Sequence, residues 1–132
     1  MQTVNPRLVL QTFLFSLAAI LSTSSMAVEF EPFTQERFEA LQEQGEKILI
    51  DISASWCPDC QKQQVVLTEY QEQYPDSNIH ILKVDFDDQK EWVTHFRAPR
   101  QSTLILFSGE ERVWFSVAET RQQQIFEALN SI

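Results

Sequence analysis

Side chains that bind metals or form disulfides are scarce here, with two cysteines and two histidines in 132 residues. A closed zinc site takes four Cys or His ligands and an open one three, and His80 and His95 have no ligand spacing relative to Cys57 and Cys60. A scaffold stapled by several disulfides fits the same count poorly. Basic side chains are few as well, 10 Lys and Arg against 19 Asp and Glu, a formal net charge of −9. Nucleic acid and anionic membrane surfaces are poor partners for such a chain, and solubility is the plainer account of its acidity. Internal repeats, linkers and low-complexity segments are missing too.

No apolar run reaches the roughly 20 residues needed to cross a bilayer. The nearest approach is Leu8 to Leu21, preceded by Met1 to Arg7 with one positive side chain and followed by a small, polar stretch ending Ser25-Met26-Ala27. This pattern reads as a secretory signal peptide over 1–27, cut after Ala27, with an uncleaved anchor as the alternative. No cysteine follows the run, so a lipid-modified N-terminus is not expected. Residues 28–132 then form one small domain with no stable membrane span. They carry all 19 acidic side chains against 9 of the 10 basic ones, a net charge of −10. Disulfides persist outside the cytosol, and Leu129-Asn130-Ser131-Ile132 is not an ER-retention signal. A periplasmic or otherwise exported protein is expected.

What the chain does contain is Ser55-Trp56-Cys57-Pro58-Asp59-Cys60, between the strand-like run Lys47 to Ile52 and a long stretch without a breaker until Pro75. The cysteines are thus expected in a strand-to-helix turn. With Cys57 as N-cap, Pro58 falls at N1, where its missing N–H costs nothing. Cys60 is then N3, and residues three apart share a helix face, within reach of a disulfide. A sulfur there faces unpaired N–H groups and the positive end of the helix dipole, which favour thiolate. Cys57 is the expected attacking thiol, and Cys60, read as deeper and less exposed, would cut the mixed disulfide. Metal binding and an inert structural bridge are the rival readings.

Elsewhere, Val28 to Phe33 suggests a short edge strand before Thr34, an N-cap with Phe33 and Phe38 at the staple positions. That helix should stop at Gly45. The helix from Pro58 carries Val66, Leu67, Tyr70 and Tyr74, and Ile79 to Phe86 reads as an inner parallel strand. Asp88 is expected to cap a short helix reaching Phe96. Thr103 to Phe107 and Arg112 to Val117 flank the Gly109 turn as an antiparallel hairpin. Thr120 and Gln123 predict a capping box for a last helix with Ile125, Leu129 and Ile132 inward. Trp92, Trp114 and Phe115 are expected to pack in the core rather than form an exposed patch. The order predicts an α/β fold, a mixed, mostly parallel sheet with helices on both faces and a C-terminal hairpin plus helix.

At this point residues 28–132 resemble the thioredoxin family. The carriers are Ile50-Asp51, Trp56-Cys57-Pro58-Asp59-Cys60, the strand end Lys83-Val84-Asp85, and Thr103 to Phe107 before a glycine turn. The resemblance implies a thioredoxin-like three-layer fold and a thiol–disulfide oxidoreductase with no cofactor beyond a redox-active Cys57–Cys60 disulfide. Asp51 matches the family's buried carboxylate, which helps take the proton from the resolving cysteine; a carboxylate in an apolar strand can do so near neutrality. The plainer alternative is a strand-end residue bonded to backbone. Lys83 matches a lysine that often accompanies it, with a solvated surface lysine as the alternative, and Trp56 matches the tryptophan that shapes the substrate surface, with core packing as the alternative.

The chain departs from the family at two places. The family has a cis-proline immediately before the hairpin's Thr103, and here that position is Ser102, with Pro99 three residues too early. A trans loop is expected, since a cis bond to serine costs about 3–4 kcal/mol. Substrate pairing along Gln101, Ser102 and Thr103, and exclusion of metal from the thiols, are altered accordingly. Ser53 stands where thioredoxins often have an aromatic residue, which suggests a specialised relative. Between the cysteines, the Asp59 carboxylate disfavours a thiolate at Cys57 and tilts the pair toward reduction. The expected partners are protein thiols and disulfides and a membrane electron donor, and a monomer is expected. The alternative functions are a copper- or iron-handling module using the same dithiol, or a binding module with a structural disulfide.

Overall fold

Alternation along β2 (Lys47–Ser53) decides the layering. Ile48, Ile50 and Ile52 point to one side of the sheet and Leu49 and Asp51 to the other, and all five are buried. The computed structural model describes residues 30–132, so the signal-peptide and anchor readings lie outside the described residues. Strands β1 (Phe30–Pro32) and β3 (Ile79–Asp85) precede β2 across the sheet, and β4 (Thr103–Ser108) and β5 (Glu111–Val117) follow it. β1 and β2 each pair with β3 in parallel, β4 pairs antiparallel with β2, and β5 antiparallel with β4. Four strands therefore share one direction and β4 alone opposes them, the mixed, mostly parallel sheet expected.

Helices cover both faces. On one, α1 (Gln35–Glu43) and α3 (Lys90–His95) lay Phe38, Leu41 and Val93 over Ile48, Ile50, Ile52 and Val84. On the other, α2 (Pro58–Gln73) and α4 (Gln122–Leu129) lay Val66, Leu67, Tyr70 and Ile125 over Leu49, Ile81, Leu104 and Leu106. Trp92 stacks beside Phe33 with ring centroids 4.7 Å apart, and Trp114 packs against the second cluster. Phe115 instead stays 39% exposed on edge strand β5, contrary to its expected core position. Tyr74 is also 39% exposed, because α2 has already ended and Tyr74 is its C-cap.

The first helix follows its sequence signals. Thr34 Oγ1 accepts the Arg37 N–H at 3.2 Å, Phe33 and Phe38 rings sit 5.7 Å apart, and Gly45 takes a left-handed φ of +72° past the C-cap. Gly109, in the hairpin turn, has φ +56° and donates its N–H to Glu46 O at 2.9 Å. A Cβ on Gly109 would lie 3.4 Å from Gly45 Cα, so the chain's two glycines meet. β4 is thereby fastened to the end of α1.

Two caps differ from expectation. Asp88 does not cap α3; the N-cap is Gln89, without a side-chain bond. Asp85 Oδ1 has already taken the Asp87 and Asp88 N–H groups at 2.8 and 2.9 Å, which turns the chain before the helix begins. Nor is Thr120 the N-cap of α4, which is Arg121. The Glu119 carboxylate accepts both the Arg121 N–H at 2.8 Å and its guanidinium at 2.6 Å, a charge-assisted pairing that a threonine hydroxyl cannot match.

Phe96 lies 4% exposed, with ring centroids 5.4 Å from Phe38 and 5.6 Å from Phe33. Phe96→Ala should cost about 3–5 kcal/mol in urea unfolding, whereas Phe115→Ala should cost less than about 1 kcal/mol. Equal losses would contradict the assignment of Phe96 to the core and Phe115 to the edge.

Candidate active site

β2 runs out at Ser53, and the chain turns through Ala54, Ser55 and Trp56 before α2 begins. The Cys57 N–H donates to Ala54 O at 3.2 Å, which places Cys57 in extended geometry as the N-cap. Its Sγ accepts the Cys60 N–H at 3.2 Å, and Pro58 occupies the first helical position. The local structure is therefore the one the spacing implies. Cys57 and Cys60 form a disulfide with Cα atoms 5.3 Å apart, on two positions of one helical turn.

The expected difference in exposure is not found. Cys57 is 1% exposed and Cys60 6%, and a groove of about 400 Å³ opens beside Cys60, between Ser53, Gln64 and Lys83. The sulfurs are thus distinguished by their place on the helix: Cys57 takes the capping N–H, while Cys60 lies a turn inward.

On the α2 side of β2, Asp51 is 2% exposed and its Oδ1 has no hydrogen-bond partner. Burial pushes its carboxyl up from 3.8 to about 6, with the Lys83 charge pulling partway back. Lys83 is the register partner of Asp51 on β3, and its Nζ donates to Gln64 Oε1 at 3.1 Å and lies 5.4 Å from the centre of the Phe30 ring. The backbone-bonded alternative for Asp51 therefore does not describe this side chain, whereas Lys83 is a half-buried lysine whose hydrogen bond lies at the surface.

Around the rim, Trp56 is 56% exposed, and its indole N–H donates to Asp87 Oδ2 at 2.7 Å. The ring is a surface group, not part of the core. Asp59 sits between two cations, Lys62 Nζ at 3.7 Å and Arg100 at 3.6 Å. Both pairs are largely solvated and so worth little in stability, but they place positive charge beside the carboxylate that was expected to oppose a Cys57 thiolate.

The loop entering β4 supplies the remaining groups. No cis peptide occurs among the described residues, so the bond before Ser102 is trans, and Ser102 adopts a left-handed φ of +60°. Its hydroxyl lies 3.0 Å from Cys57 Sγ and 3.1 Å from Cys60 Sγ. Ser102 and Thr103 are fully buried, and the Thr103 hydroxyl donates to Arg100 O at 2.7 Å. Gln101 is half-buried. Sequence reasoning missed Gln63, fully buried on α2, whose Nε2 donates to Ser102 O at 3.2 Å and Glu119 O at 2.8 Å. Its signal was a polar residue in the inward row of α2 with Cys60, Leu67 and Tyr70. It also missed Arg100, for which nothing in the sequence points to Asp59. Among the described residues no three or more His, Cys, Asp and Glu side chains gather as a metal site.

A helix-capping C-x-x-C disulfide at the end of a central strand, on a five-stranded sheet between helix pairs, is the arrangement of a thioredoxin-type domain. The thioredoxin family model matches residues 29–131, and the chain belongs to that family. It is 30% identical over 94 residues to thioredoxin H5 of Oryza sativa subsp. japonica, covering 70% of this chain and 68% of that one. To a thioredoxin H-type protein of Fagopyrum esculentum it is 31% identical over 77 residues, covering 58% of this chain and 65% of the relative. The chain thus spans about two thirds of the curated relatives it matches. The crystal structure of Trxlp from Edwardsiella tarda is similar with a TM-score of 0.72 and 35% identity, covering 76% of this chain and 98% of that one.

The raised Asp51 value has a measurable consequence. The folded chain holds this proton up to about pH 6, while the unfolded chain releases it near 3.8. The group's contribution to stability is therefore greatest below the unfolded value and is lost as pH rises through the folded one, by about 3 kcal/mol in all. Asp51→Asn, which mimics the protonated form, should be about 1–3 kcal/mol more stable than wild type at pH 8 and nearly equal to it at pH 4 by urea denaturation. A pH-independent difference would show that the carboxyl is not shifted.

Proposed function

We propose that this chain is an exported thiol–disulfide oxidoreductase acting on protein substrates through Cys57 and Cys60, on the reducing side as a reductase or isomerase-type catalyst. The observation that carries the reading is Cys57 Sγ accepting the Cys60 N–H at the start of α2, one turn from its disulfide partner. A thiolate formed there meets the helix dipole and a charge-assisted N–H bond.

In the reduced chain, the Cys57 thiolate attacks a substrate disulfide, forming a mixed disulfide and releasing one substrate thiolate. Cys60 then gives up its proton and attacks Cys57 Sγ. The Cys57–Cys60 bond forms, the mixed disulfide breaks, and the second substrate sulfur leaves and is protonated. Two electrons pass from the dithiol to the substrate. Asp51, poised near pH 6 by burial, is the acceptor for the Cys60 proton, and the groove beside Cys60 and Lys83 is the route by which that proton reaches solvent. Exposed Trp56 and half-buried Gln101, in the bend before β4, form the surface a substrate lies against.

Export is supported by the pattern of residues 1–27, ending Ser25-Met26-Ala27. In a periplasmic location the disulfide would be reduced again by a membrane electron donor, since no soluble reducing pool maintains thiols there. A monomeric domain at 28–132 needs no cofactor beyond its own disulfide.

With dithiothreitol as reductant, wild type should accelerate insulin reduction and Cys57→Ser should not exceed the uncatalysed rate; equal rates would remove the catalytic claim. Cys60→Ala should accumulate mixed disulfides through Cys57. Accumulation in Cys57→Ala through Cys60 instead would reverse the two roles.

A further inference from the structure

The polar side chain closest to both sulfurs is Ser102, where the family carries a proline that has no hydroxyl to offer. Its Oγ is 3.0 Å from Cys57 Sγ and 3.1 Å from Cys60 Sγ, and the residue is fully buried. An alcohol in that position remains protonated at any physiological pH, so toward a thiolate it acts as donor. The bond is weak to a neutral disulfide sulfur and strong to a charged one, and this difference between redox states gives it a role in the reaction.

The hydroxyl is also held in place. Ser102 sits at φ +60°, a conformation a non-glycine residue keeps only under outside constraint. Its carbonyl accepts the Ala118 N–H at 2.8 Å and the Gln63 side-chain amide at 3.2 Å. Gln63 reaches this point from the inner face of α2 while its Oε1 finds no partner, a cost that the fold tolerates. Of the charged groups nearest the turn, Asp51 on β2 leaves its Oδ1 without a partner, Lys83 on β3 bonds to Gln64, and Asp59 on α2 pairs with Lys62 and with Arg100 of the loop; none is bonded to either sulfur.

Resting on the exchange function above, we propose that Ser102 is a catalytic residue whose hydroxyl donates to whichever sulfur carries the charge, Cys57 before attack and Cys60 during release, and that Gln63 positions it. The bond is made without proton transfer. It stabilises the reduced form and so makes the disulfide a stronger oxidant, opposite to the reducing tilt expected of Asp59. The pair is thereby set to an intermediate potential, suited to rearranging substrate disulfides as well as reducing them.

The test uses Ser102→Ala and Ser102→Gly, the second chosen because glycine suits the positive φ and keeps the domain folded. Thiolate absorbance should show the Cys57 pKa about one unit higher in both. Equilibration with glutathione should favour the disulfide about tenfold more than in wild type, a fall of about 30 mV. Gln63→Met should shift both quantities the same way by less, and should add little in combination with Ser102→Gly. A folded Ser102→Gly protein with pKa within 0.2 unit and equilibrium within about twofold of wild type would overturn the role of the hydroxyl while leaving the exchange reading intact, provided wild type still reduces insulin. A wild type that neither cycles nor reduces insulin would overturn both.

Discussion

The sulfur of Cys57 caps a helix, and the other features of the site follow from that bond. Capping sets Pro58 at the first helical position and Cys60 at the third, brings the sulfurs to disulfide distance, and aims the open end of α2 at the attacking atom. The helix end stays where it is because α2 rests on Leu49, Leu104 and Leu106 through Val66, Leu67 and Tyr70. The chemistry is local, but its geometry is imposed by the apolar layer beneath.

That layer also holds the polar groups that weaken it. Asp51 and Gln63 are both buried on the α2 side, and each leaves an oxygen without a partner. Apolar residues there would make a more stable domain. One of these groups offers a proton acceptor near neutrality and the other steadies the loop that meets the sulfurs. Under the exchange function we propose, stability is given up at the point where the reaction uses a titratable group and a fixed hydroxyl.

Much of this could be read from the chain, because the informative signals are local. Periodicity in Lys47 to Ile52 and Ile79 to Asp85, the Cys-Pro-x-Cys spacing, Thr34 with its phenylalanine pair, and the two glycines each act within a few residues. What was not legible depends on long-range arrival. Both sulfurs are met by Ser102 of the loop before β4, a contact far along the chain from either cysteine. The caps of α3 and α4 fall one residue later than expected, at Gln89 and Arg121, where Asp85 turns the chain at Asp87 and Asp88 and Glu119 binds Arg121. Gln63 and Arg100 act on backbone and charge that only the fold brings near.

β4 is bolted at both ends. Ser102, just before it, is tied by Gln63 and Ala118, Thr103 bonds the Arg100 carbonyl, and Gly109, just after it, bonds Glu46 beyond α1. A rod pinned in this way between two flanking strands has no freedom to slide along its axis. β4 therefore offers no sliding motion to report the redox state of the disulfide, and a partner resting on this strand has to sense sulfur geometry and charge instead.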